Sequence, residues 1–457
     1  MKKTKRELLV LAAATTVALS MGVTVQAKGD EKVLNFGCQM YTDGCVNSAN
    51  DENSGWNAMR YGIAEALFKF DDNMEVIPWL AESYEVNDEH TEWTIKLKDG
   101  IKFSDGCDLT PTKVKEYFDH MKEVGPSGSA KPEKYLEFEA EVTVDDDANT
   151  INIKTSKPYA NLVGQLCHPT MGITDVEHIE NYDNGIIGTG PYKIESWDEG
   201  QAITLVKNED YFKGEPSIDK IVFKIVPDDN AKALQLKSGE LDLALLTPKD
   251  AAAFADDEAY TCYDMKTSDY RGIMFNFGNE YWQKNRDLIP AVCYGLDRQA
   301  IIDAVILGQG MPAYGPLQRN IYNYEDVEHY DYNPEKAKEI LEAAGCEMGD
   351  DGFYYRDGEK VGFVISVSAG DQVRIDMAQI AAQELKEIGM DVSVEIPAQT
   401  DWAGQMAFLI GWGSPFDADD HTYKVFGTDK GANYSGYSNA DVDKYLTEAR
   451  QSADPEV

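Results

Sequence analysis

The stretch from Gly411 to His421 brings together an indole (Trp412), a phenyl ring (Phe416), carboxylates (Asp417, Asp419 and Asp420) and an imidazole (His421). It follows directly on Phe408-Leu409-Ile410, an apolar run that reads as a buried strand. Ligands of open α/β sheets sit beyond strand ends, so this turn is the strongest candidate for contact with a solute. Its residue types suit binding: rings that stack on an organic group, and carboxylates that meet a cation. A solvated acidic turn is the alternative in a chain this acidic.

Covalent and metal chemistry find less support. No GxSxG or HExxH motif is present, nor a Cys/His arrangement that would build a secreted hydrolase, which would need an activated nucleophile, a close carboxylate pair or an open metal site. Gly188-Thr189-Gly190 lacks the third glycine of a dinucleotide fingerprint, and no GxxxxGK[ST] phosphate cradle occurs. The seven cysteines (38, 45, 107, 167, 262, 293, 346) are scattered without zinc or CxxC spacing. Cys38 with Cys45 is the nearest candidate pair, and most of the others are expected as small buried hydrophobes. The six histidines form no close pair, no structural zinc site is expected, and neither is a cofactor.

Arginine is unevenly spread: none occurs between Arg60 and Arg271, so a bidentate guanidinium clamp must come from outside that stretch. The later half holds Arg271, Arg286, Arg298, Arg319, Arg356, Arg374 and Arg450. Most of these are expected to be ordinary surface charges, with one or two facing a ligand.

The 457 residues carry 42 Lys+Arg against 81 Asp+Glu, a net charge of −39, and are 43% hydrophobic. That supports a large core in two or three domains and argues against disorder, while a surface this acidic repels phosphate backbones and excludes nucleic acid as a partner. Residues 1–27 read as an export signal: Lys2, Lys3, Lys5 and Arg6 precede an apolar run from Leu8 to Val25, with small residues before a cut after Ala27. An uncleaved anchor is the other reading of that run; no second apolar stretch is long enough to span a bilayer. Cys38 lies well past the run, which argues against a lipid-attachment cysteine. The mature chain is expected in the periplasm or outside the cell.

Alternating strands and amphipathic helices interleave along the chain, the pattern of an α/β protein with mixed sheets. Trp93 to Lys98 and Thr150 to Lys154 alternate apolar and polar residues and read as half-buried strands. Helices are predicted over Pro111 to Met121 behind Thr110, Pro334 to Ala344 behind Asn333, and Ile375 to Ile388 before Gly389.

Four stretches carry a resemblance: Val76-Ile77-Pro78-Trp79-Leu80-Ala81-Glu82-Ser83, Trp93 to Gly106, Gly188-Thr189-Gly190-Pro191-Tyr192, and Asn433-Tyr434-Ser435-Gly436-Tyr437 followed by Asp443. Asn208 to Phe212, Gly239 to Asp242 and Asn333 to Ala337 extend it over the mature chain. In order and spacing these resemble the peptide- and nickel-binding family (family 5) of ABC-transporter solute-binding proteins. The resemblance implies a two-lobe periplasmic-binding-protein fold of α/β class, with an extra subdomain inserted in the first lobe and the ligand enclosed between lobes. The expected limits are 28–60 and 185–270 for the first lobe, 61–184 for the inserted subdomain and 271–457 for the second lobe. Relatives continue beyond the helix at Asp441 to Arg450, so a second lobe cut short at its carboxyl end is expected. Relatives also carry extra residues between Ile396 and Gly411, and irregular packing is expected there.

By the same resemblance Trp412 and Phe416 would wall the ligand, and Asp417 or Asp419 would meet a peptide's α-ammonium group, whose burial without a carboxylate is costly. Arg374 or Arg271 would take the peptide carboxylate, and Tyr41, Trp56 and Asn57 lie where relatives place pocket residues. The implied function is capture of di- or oligopeptides and delivery to a membrane permease with its ATPases, by a monomer whose closed form could also engage a chemoreceptor or sensor. The implied rival is a nickel-chelate carrier, because Trp412-Gly413-Ser414-Pro415-Phe416-Asp417 resembles the Trp-Gly-Ala-Pro-Tyr-Asp turn of nickel-binding relatives. His168 and His421 would then be the metal contacts.

Overall fold

The structure is a computed structural model and describes residues 31–38, 52–124, 140–177, 186–198, 200–318, 322–412, 418–452 and 454. Three sheets organise it, each with its own apolar core. The first has five strands in the order Leu243–Ala244, Val33–Cys38, Lys220–Ile225, Ala202–Lys207, Tyr192–Asp198. Val33–Cys38 runs parallel to both of its neighbours, and the remaining pairs are antiparallel. Ile203, Leu205, Ile221 and Phe223 line its buried face.

The second sheet is wholly antiparallel, in the order Ala81–Val86, Glu92–Leu97, Thr150–Lys154, Glu141–Asp145. Trp93, Ile95 and Leu97 are buried while Glu92, Thr94 and Lys96 are exposed, as their alternation dictates. The helix Pro111–Val124 covers the buried face with Val114, Tyr117, Phe118 and Met121. It begins where expected, with Thr110 Oγ1 accepting from Lys113 N at 3.3 Å.

The third sheet orders Tyr270–Phe275, Ala407–Trp412, Val364–Ser366, Ser393–Glu395; its first pair is antiparallel and the others parallel. One face packs on the helices Pro334–Ala343 and Gln372–Glu387 through Ala337, Leu341, Ala378 and Leu385. Asn333 caps the first of these, accepting from Lys336 N at 2.9 Å. The second starts three residues earlier than its apolar pattern predicts, because Asp371 is the cap and accepts from Arg374 N at 3.0 Å. It stops before Gly389, which has φ +89°.

Two of the four motif stretches, and the Asn208–Phe212 segment, converge on one carboxylate. Glu65, only 9% exposed, accepts from Trp79 Nε1 at 2.8 Å, Tyr211 Oη at 2.7 Å and Thr189 Oγ1 at 3.2 Å. The backbone of Gly190 passes so close to residue 62 that a Cβ there would lie 2.1 Å from the Gly62 carbonyl oxygen, and Asn208 Nδ2 holds the Gly190 carbonyl at 2.9 Å. Gly190→Ala is therefore expected to destabilise the protein by roughly 2–3 kcal/mol, since the clash is with backbone. A urea midpoint equal to wild type would show that the two chain segments are not packed this closely.

Candidate functional site

The strand Ala407–Trp412 ends in two half-buried residues after four buried ones, so Trp412 emerges where the core gives out. The register pairs Trp412 with Tyr270, Ile410 with Gly272 and Phe408 with Met274, which places all six on one face. There Trp412 stacks on Tyr434, with centroids 5.9 Å apart and planes 7° apart; Tyr434 stacks in turn on Trp402 at 4.4 Å, and Trp402 lies 4.7 Å from Phe408. The segment between Ile396 and Gly411 thus supplies two rungs of an aromatic ladder, Trp402 and Phe408.

Tyr434 is presented by the Asn433–Tyr437 turn. Asn433 Nδ2 donates to the carbonyls of Gly427 and Tyr437, at 2.9 and 2.7 Å, and its Oδ1 accepts from Ser435 Oγ and Tyr437 N. Asp443 braces the preceding loop by accepting from Thr428 N at 2.8 Å and Thr428 Oγ1 at 2.7 Å, and those hydrogen bonds hold its carboxyl below the usual carboxylate range.

Behind Trp412 lies a cavity of about 500 Å³, lined among others by Tyr270, Met274, Phe277, Ile410, Val425 and Leu446. The helices Ala418–Phe426 and Ala440–Gln451 form its outer side. Gly272 leaves the sheet side open, because a Cβ there would find nothing nearer than Tyr270 Cε2 at 4.0 Å. Burial pushes the Tyr270 phenol above its ordinary value, in keeping with an apolar interior.

Asp419 is already engaged. Its Oδ2 accepts from Arg450 Nε at 2.8 Å and from Gln165 Nε2 at 3.2 Å. Arg450, one of seven later arginines most of which are expected to be surface charges, is 4% exposed; nothing in its sequence neighbourhood distinguishes it, and burial by two other segments is what does. Gln165 accepts from His168 N at 3.1 Å through its carbonyl, and His168 meets Trp56 edge-on at 6.1 Å. Asp419, Gln165, His168 and Trp56 therefore form one connected run of contacts. His168 is 2% exposed and its Nδ1 accepts from Thr170 N at 3.2 Å, capping the single turn Pro169–Met171. Trp56 is half-buried on the helix Glu52–Arg60 with the Arg60 guanidinium 4.7 Å from its ring, and Asn57 on that helix is buried.

Each of the two arginines expected to meet a carboxylate has an aspartate nearby in its own segment. Arg271 pairs with Gly411 in the register, so it projects from the sheet face opposite Trp412, and it lies 3.7 Å from Asp269. Arg374 pairs with Asp371 at 3.0 Å at the start of its own helix. Tyr41, Phe416 and Asp417 fall outside the described residues, as do Cys45 and the side chain of His421. Of the other cysteines, Cys38, Cys167 and Cys346 are buried, Cys107 and Cys293 half-buried, and Cys262 exposed. Among the described residues, Asp105, Cys107 and Asp175 have ligand atoms within 4.8 Å of one another, but Lys113 Nζ already meets Asp175 at 2.8 Å, and none of the three is a candidate solute contact.

Residues 75–434 match the family model for bacterial extracellular solute-binding proteins, family 5. The chain belongs to this family. Family 5 proteins are periplasmic or extracellular, and this one is the solute-binding component of an ABC importer for peptides or nickel chelates, not an enzyme. It is 31% identical to the oligopeptide-binding protein AppA of Bacillus subtilis, over 89% of this chain and 78% of that protein. Its fold is similar to that of NikZ from Campylobacter jejuni in complex with Ni(L-His), with a TM-score of 0.83 and 27% identity over 93% of this chain and 87% of the other. It is also similar to the structure of Bacillus subtilis AppA in complex with a nonapeptide, with a TM-score of 0.78 and 26% identity over 93% and 88%. These likenesses establish the α/β two-lobe fold of this family 5 protein. Among its described residues no helix is long and apolar enough to cross a membrane.

Proposed function

We propose that this family 5 protein captures peptides between its lobes and delivers them to a membrane permease. The observation that carries the choice of peptide is the apolar cavity behind Trp412, about 500 Å³ and walled by aromatic and aliphatic side chains. A peptide side chain fills such a space favourably, whereas a hydrated nickel chelate gains little from it. The likeness to AppA supports the same reading. Trp412 would stack on the ligand, with Trp56 and Asn57 on the opposite wall, and the chain would act as a monomer outside the cytoplasm after loss of residues 1–27. Lobe limits of 28–60 with 185–270, 61–184, and 271 onward are supported by the three sheets, whose strands fall within those ranges except that Tyr270–Phe275 begins one residue before the last limit.

A nickel–histidine chelate is the second reading, favoured by the likeness to NikZ bound to Ni(L-His). Calorimetric titration of solute-stripped protein against a mixed di- to pentapeptide pool, and separately against nickel with free histidine, decides between them. Heat with peptides alone is expected. Heat with nickel and histidine alone would overturn the peptide reading and turn attention to His168 and His421.

A further inference from the structure

Arg450 is buried where three segments meet. Its Nε donates to Asp419 Oδ2 at 2.8 Å, its Nη2 donates to Tyr159 Oη at 3.0 Å, and its guanidinium lies 3.7 Å from the Tyr423 ring and 5.1 Å from that of Tyr159. Its carbonyl accepts from Ala160 N at 3.0 Å. Gln165 Nε2 reaches the same Asp419 oxygen at 3.2 Å. Asp419 and Tyr423 sit on the helix Ala418–Phe426 and Arg450 on the helix Ala440–Gln451, which pack on each other and face the strands Tyr270–Phe275 and Ala407–Trp412 across the apolar cavity. Tyr159, by contrast, is buried in the core of the antiparallel sheet Ala81–Val86, Glu92–Leu97, Thr150–Lys154, Glu141–Asp145, and its amide donates to the His90 carbonyl at 2.9 Å.

The bonds therefore divide into two kinds. The ion pair Arg450–Asp419 and the stack on Tyr423 lie within one body. Arg450 to Tyr159, Ala160 to Arg450 and Gln165 to Asp419 cross to the other. A buried arginine is tolerated only when paired, and here its countercharge travels with it. Separating the two bodies would break neutral or singly charged hydrogen bonds and a ring contact, while the ion pair returns to water intact. That is the energetic profile of a reversible fastener: strong enough to bias a conformational equilibrium, without leaving a lone charge on opening.

We propose that Arg450 is a clasp that holds these two bodies together independently of solute, so that one preassembled guanidinium–carboxylate pair sets part of the closed population. The apparent affinity for any solute that needs the closed form then scales with that population. Asp419 acts as the positioning partner of Arg450 and not primarily as a free countercharge for the solute.

The test uses the full mature chain and two variants: Tyr159→Phe with Gln165→Ala, which removes two crossing bonds and keeps the ion pair, and Arg450→Lys, which keeps the charge but loses the planar fork. Small-angle X-ray scattering of solute-free protein is expected to show a larger radius of gyration for both variants than for wild type, with urea midpoints near wild type for the first. For whichever solute binds, apparent affinity is expected to fall about fivefold per crossing hydrogen bond removed. An unchanged solute-free radius of gyration in a folded double variant would overturn the clasp. The scattering result needs no solute, so it stands apart from the choice between peptide and nickel chelate.

Discussion

Replacing Glu65 by alanine should destabilise this solute-binding protein by roughly 2–4 kcal/mol, because it removes the shared acceptor of three buried or half-buried donors. The hydroxyls of Tyr211 and Thr189 can turn to other partners, but the Trp79 indole N–H is fixed by its ring and would be left facing a void. Trp79 is further held between the ammonium groups of Lys69 and Lys213, 3.6 and 3.7 Å from its ring, so it cannot swing out without losing both. The expected readout is a lower urea midpoint followed by tryptophan fluorescence; a midpoint equal to wild type would remove Glu65 as the organising group of the three segments that hold Trp79, Thr189 and Tyr211.

The same carboxylate makes stability depend on pH in a stated direction. Burial is the largest influence on Glu65 and raises its pKa, against the hydrogen bonds of Trp79, Tyr211 and Thr189 and the charge of Lys213. The folded form therefore holds the proton more tightly than the unfolded form. Its contribution is fully present below the unfolded value and is lost as pH rises through the folded value. Glu65→Gln cannot ionise, so its stability relative to wild type should improve with rising pH across that window. A difference between the two proteins that is flat in pH would contradict the burial-driven shift.

Trp412→Ala should weaken solute binding by roughly 10- to 100-fold, the usual cost of losing an aromatic anchor at the centre of a site. The loss of its stack on Tyr434 should cost only about 1 kcal/mol of stability, since Trp412 is half-buried and the ladder from Tyr434 to Phe408 remains. Calorimetry with the best-binding peptide checks the first, and thermal unfolding the second. Arg271→Ala is the matched control: it lies beside Gly411 on the other face of the sheet and should leave the affinity unchanged. Equal loss in both variants would mean that affinity is lost through distortion of the strand pair and not through a missing ligand contact.

Local chemistry was legible in the sequence. The alternation of Trp93, Ile95 and Leu97, the caps Thr110 and Asn333, the stop at Gly389 and the apolar strand before Trp412 all depend on neighbours within a few positions, where periodicity and capping act directly. The family, too, could be read, since its motif residues keep their order and spacing along the chain. The helix Gln372–Glu387 starts three residues ahead of Ile375 because its cap, Asp371, lies before the apolar pattern, with Gln372 and Arg374 polar in the first turn.

The site was only half legible. Trp412 and Asp419 stand in a recognisable turn, but what they touch comes from far away in the chain. Tyr434 and Trp402 complete the aromatic ladder, Gly272 opens the cavity floor, and Arg450 claims Asp419 from another helix. Arg450 looks like any of the later arginines until Tyr159, Tyr423 and Asp419 bury it. Sequence by itself determined the elements, the family and the turn that holds Trp412, because those follow from short-range patterns. Which charges are buried, which face of the strand an arginine takes and which carboxylate gathers the motifs were decided only by tertiary packing, because desolvation and pairing depend on segments that are distant in sequence.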